Sequence, residues 1–140
     1  MKKEIIMKWS TVGILSLSIM FFFLPYRAGH APLEMFKMVS NLGRIDLIME
    51  GVLQWVVPVA FTLLAVLMVA TKFKISKCVM ATIFCVIATM LHFASIEIGS
   101  GKLGVGIIFN TIIAILGILL PITLIILTKK AEKNVKIITG

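Results

Sequence analysis

Four separate apolar runs, each near the length that crosses a bilayer, constrain this chain more than any other feature. They extend from about Trp9 to Pro25, Gly51 to Thr71, Cys78 to Ile96 and Gly104 to Thr128. A hydrocarbon layer about 30 Å thick takes roughly 20 residues of helix. Lipid offers backbone amides no partner, so a spanning segment must be helical. The expected fold is therefore all-α: an integral membrane four-helix bundle in which residues 1–140 form a single domain. Composition agrees. The chain is 60 % hydrophobic and 14 % charged, where soluble domains average about 45–50 % and 25 %. So small a soluble domain could not hide that apolar surface.

Met1-Lys2-Lys3 before an apolar stretch also suits a secretory signal. The region where cleavage would fall, Ala28-Gly29-His30-Ala31-Pro32, lacks a clean A-x-A and runs into proline. An uncleaved first helix is the expectation.

Lysine distribution sets the expected orientation. Lys2, Lys3 and Lys8, then Lys72, Lys74 and Lys77, then Lys129, Lys130, Lys133 and Lys136 fall on one side. Arg27, Lys37, Arg44 and Lys102 fall on the other, where Glu34, Asp46, Glu50 and Glu97 balance them. Positive residues stay inside, so both termini, including the 129–140 tail, are expected in the cytoplasm and the protein in the plasma membrane. Trp9 near the inner boundary, and Tyr26 and Trp55 near the outer one, suit the preference of amphipathic rings for interfaces. The net charge of +8 is thus read as topology. Nucleic acid is not an expected partner, because no basic element interleaves with aromatic residues.

The first outer connection, residues 26–50, is too long for a simple turn. Pro32 suits a first helical position. Met35, Met38, Leu42, Ile45 and Met49 then recur at threes and fours, with Glu34, Lys37, Arg44 and Asp46 largely off that stripe. The pattern predicts a short amphipathic helix on the outer face, bent or ended at Gly43. A methionine-rich groove for a partner is the functional alternative.

The third and fourth runs carry matching stripes of small residues. Cys78, Ala81, Cys85, Ala88, His92, Ser95 and Gly99 recur at threes and fours, as do Gly106, Asn110, Ala114, Gly117 and Pro121. Small residues let helices approach closely in lipid. Folding the hairpin about Gly101 sets Ala81 opposite Pro121, Cys85 opposite Gly117, Ala88 opposite Ala114, and His92 opposite Asn110. An intramembrane hydrogen bond between His92 and Asn110 is expected, at a net benefit of about 0.6–2 kcal/mol.

Polar groups at membrane depth are often functional. Gln54 and Glu97, with His92 and Asn110 close by, make a candidate outer polar cluster; the plainer reading is that Glu97 reaches the interface while His92 and Asn110 satisfy each other. Pro58 and Pro121 are expected to kink their helices, and a gating hinge is the sharper alternative. Cys78 and Cys85 are seven residues apart, about 10 Å along a helix, too far for a disulfide. No HxxxH or ExxH spacing makes His30, His92 and nearby carboxylates a metal site, and Gly99-x-Gly101-Lys102 lacks the spacer and hydroxyl of a phosphate loop. No metal, cofactor or catalytic set is expected.

Phe23-Leu24-Pro25, the Leu33-Glu34-Met35-Phe36 stretch and the glycine-rich segment from Gly99 to Gly106 together resemble small four-span bacterial membrane proteins of unknown function. Twelve lysines against two arginines, with abundant isoleucine, look like a Gram-positive source. The resemblance implies a fold and no activity. Small multidrug exporters resemble the chain in span number, but residues 9–25 lack their embedded carboxylate. Quinone-linked disulfide enzymes need paired outer cysteines that are missing here. The expected function is that of a non-enzymatic accessory or regulatory subunit, or an immunity-type protective protein that binds another membrane protein. The alternative is a small transporter or channel acting as a homo-oligomer, with Pro58, Pro121, Asn110 and His92 as working parts.

Overall fold

The computed structural model describes residues 2–25, 29–71, 74–98 and 104–140, with the side chains of 96–98 excepted. Tyr26, Arg27, Lys72, Lys102 and the turn from Gly99 lie outside the described residues, as does the side chain of Glu97. Five helices appear among the described residues: α1 (Lys2–Phe23), α2 (Pro32–Asn41), α3 (Ile45–Ala70), α4 (Ile75–Ile98) and α5 (Val105–Thr139). All but α2 are long and apolar enough to cross a membrane.

Local chemistry sets how each helix starts and stops. Helix α1 is α-helical through Ser16 and tightens to a 3-10 helix over Leu17–Phe23. The greater rise of that form adds about 3–4 Å over seven residues, which helps a short run span. It ends where Leu24 turns extended, at φ −92° and ψ 145°, as the residue before a proline prefers.

Pro32 opens α2, and the Ala31 amide donates to Glu34 Oε2 at 3.4 Å. The amide of Gly43 donates to the Ser40 carbonyl at 3.1 Å, and its φ of +63° is a conformation open to glycine at little cost. That reversal splits the outer stretch. The first helix of the stripe ends before Gly43, as that glycine suggested, and the second half of the stripe opens α3 at Ile45, six residues before the expected start at Gly51.

Inside α3, Val52–Val56 form a π turn immediately before Pro58, and the amide of Val57 donates to Val52. Proline has no N–H for the carbonyl four residues back, and the wider turn absorbs that loss. At Pro121 the helix runs through unbroken. Helix α5 has 35 residues, about 52 Å, so its last turns, including Lys129 to Lys136, extend past a layer about 30 Å thick.

The four long helices close a ring in the order α1, α3, α4, α5, with α1 and α4 at opposite corners. Contacts such as Lys8 with Thr71 and Phe61 with Phe84 make neighbours antiparallel. One core layer joins Leu15, Ala65, Val69, Cys78, Ala81, Cys85, Ile113 and Leu124; a second, toward α2, joins Phe21, Trp55, Val59 and Ile107. Outward-facing Leu67, Met90, Ile112 and Ile126 are all more than half exposed. So much outward apolar surface is stable against a lipid bilayer rather than water.

Candidate functional site

Between the two core layers, α4 and α5 bring His92 and Asn110 together: Asn110 Nδ2 and His92 Nε2 lie 2.8 Å apart. Both residues have zero exposure. An amide NH2 only donates, so Nε2 accepts and the proton of the neutral ring sits on Nδ1. That leaves one donor, the Nδ1–H of His92, and one acceptor, Oδ1 of Asn110; both atoms are buried without a hydrogen-bond partner among the described residues. The 3-10 end of α1 covers the pair. Phe21 stands edge-on to the imidazole, with ring centres 5.9 Å apart and planes at 68°.

Small residues make this approach possible. A Cβ on Gly117 would fall 2.4 Å from Cys85 Sγ and 2.7 Å from Leu15 Cδ2, so α1, α4 and α5 converge where only glycine fits. Ala81, Ala88 and Ala114 are fully buried in the same seam. Pro121, one turn past Gly117, is also buried.

Gly106 meets the end of α1, where a Cβ would lie 3.0 Å from the carbonyl oxygens of Leu24 and Pro25. Its amide donates to Pro25 at 2.8 Å. The first amides of a helix have no partner within it, and Gly104, the residue before α5, supplies no side-chain cap. The tail of α1 therefore caps α5.

Gln54 does not reach the His92–Asn110 pair: its Nε2 donates to Glu50 Oε1, one turn back on its own helix, at 2.9 Å. Trp55 is only 6 % exposed. Helix α2 covers it through Phe36, whose ring stands perpendicular to the indole at 4.9 Å. Gly51 makes room for both, since a Cβ there would lie 2.8 Å from Trp55 and 3.2 Å from Phe36.

Two features were not read from the sequence. One is Phe21 as the cover over His92. The other is a clasp at the opposite end: Lys8 Nζ donates to the Thr71 carbonyl at 3.0 Å and Lys77 Nζ to the Thr71 hydroxyl at 2.8 Å. Lysine favours the negative end of a helix, and the lysine-rich ends of the runs were the available signal. Among the described residues, no three of His, Cys, Asp and Glu gather as a metal site would need. Both cysteines are buried free thiols.

The chain matches no known protein family, no curated protein and no solved structure.

Proposed function

We propose that this four-span protein is a non-enzymatic accessory or protective component of the plasma membrane, with both termini in the cytoplasm, and that it works by binding another membrane-embedded polypeptide through its outer helix. One observation carries the reading. Phe36 fixes α2 onto Trp55 and Met35 packs on the same core, yet the outer stripe beyond Met35 stays presented: Met38 is 49 % exposed, Leu42 70 %, Ile45 75 % and Met49 57 %. A helix held rigidly by one aromatic anchor, with adaptable methionine and leucine outward, suits partner recognition. The ten-to-four division of Lys and Arg between the two sides supports the orientation. Immunity proteins and regulatory subunits both act by such contact.

Photocrosslinking side chains placed at Leu42 and Ile45 in living cells test this. Adducts with a discrete polypeptide at those positions, and none at lipid-facing Leu67, are expected. Lipid adducts alone at all three positions would remove the proposal.

A second reading, transport by an oligomer, draws on the unpaired Nδ1 and Oδ1 atoms at His92 and Asn110 and on the π turn beside Pro58, since such turns recur at functional sites. Under that reading, liposomes show solute flux that His92→Ala abolishes in a folded protein.

A further inference from the structure

The lysine-rich end of the bundle holds a groove that neither reading uses. It lies between the first turn of α1 and the projecting part of α5, is open to the outside and measures about 360 Å³, within the range of small-ligand clefts of about 300–1,000 Å³. Its polar rim is Lys2, Lys3, Lys130 and Asn134, and its apolar floor is Leu127 and Ala131. Glu4 also lines it, so the residues around the groove include three lysines and one carboxylate.

These lysines differ from the two that hold the clasp at Thr71. Lys8 and Lys77 are engaged with Thr71. Lys2, Lys3 and Lys130 are exposed, and the ion pairs among the described residues, His30–Glu34 and Arg44–Asp46, lie at the other end of the bundle. The groove also sits where the apolar run of α5 gives way to Lys129 and Lys130, which is headgroup depth. Basic pockets between membrane helices at that depth suit phospholipid headgroups.

We infer that this groove is a binding site for an anionic phospholipid, its phosphate held by Lys2, Lys3 and Lys130 and its glycerol and upper acyl segment lying on Leu127 and Ala131. The apolar floor selects a lipid over a free anion. The site serves either orientation of the chain, because it depends only on the groove meeting the membrane boundary.

Native mass spectrometry of the full-length protein released from micelles tests it, with phosphatidylglycerol and phosphatidylcholine offered at equal concentration. Preferential retention of phosphatidylglycerol is expected, and inorganic phosphate in excess should not displace it. In Lys2→Gln/Lys3→Gln/Lys130→Gln the preference should fall on the order of a hundredfold, given the worth of three lysines at an anionic surface. In the charge-matched Lys74→Gln/Lys129→Gln/Lys133→Gln it should persist. Equal retention of the two lipids by the unmodified protein overturns the site without recourse to any variant. Displacement by phosphate overturns it in favour of a simple anion site. Equal loss in both triple variants overturns it in favour of diffuse charge attraction.

Discussion

His92 and Asn110 carry polar atoms that hydrocarbon cannot satisfy, so each depends on the other for its place inside the bundle. Replacing either one by leucine leaves the other buried without its bond, which costs about 1–3 kcal/mol. Replacing both removes the orphan as well as the bond. A double-mutant cycle, followed by unfolding of the micellar protein, should therefore return a coupling of about 0.6–2 kcal/mol; simple additivity would mean that the 2.8 Å contact contributes nothing. The stripes of small residues on α4 and α5 already set these two side chains at one depth in the sequence. Phe21 was beyond such reasoning. It reaches the imidazole from α1, and no spacing on either stripe refers to a residue about 70 positions away.

At the scale of elements, the outer stretch shows that periodicity has to be read together with its breakers. Met35, Met38, Leu42, Ile45 and Met49 keep helical spacing across Gly43, yet the chain reverses there at φ +63°. Spacing alone is blind to a single left-handed conformation that redirects the axis, and the glycine in the stripe was the sign of it. The consequence is that α3 gains an extra outer portion, Ile45–Gly51, against which α2 packs. Gly51 is the contact point. Gly51→Ala would press a methyl into the Trp55 ring, at a cost of about 1–3 kcal/mol borne by the α2–α3 junction. Amide hydrogen exchange should speed up across α2 while the centres of α4 and α5 keep their protection. Unchanged exchange in α2 would show that Phe36 and Trp55 do not hold it.

For the whole molecule, antiparallel packing gathers the start of α1, the end of α3, the start of α4 and the projecting part of α5 at one end. There Lys8 and Lys77 join three helices through Thr71. The proposed orientation places this end in the cytoplasm, and single-cysteine labelling checks it. In intact cells, Leu42→Cys should react with a membrane-impermeant maleimide, and Lys133→Cys only after permeabilisation. The native Cys78 and Cys85 are buried and should stay silent. The reverse pattern would turn the molecule over and move the outer helix to the cytoplasm.

The apolar runs and the placement of lysine along the chain were enough to indicate a membrane protein of four spans, because entry into lipid depends on local sums over about 20 residues. The facing of α4 and α5 was legible for a related reason: a short turn leaves two adjacent helices few ways to match their small residues. What closes the ring was decided only in three dimensions. Gly106 caps against Pro25, Trp55 is covered by α2, and Leu15 completes the contact at Gly117. Each of these joins segments far apart in sequence, where the energy comes from shape and orphaned amides meeting across helices, and no pattern within either segment encodes that meeting.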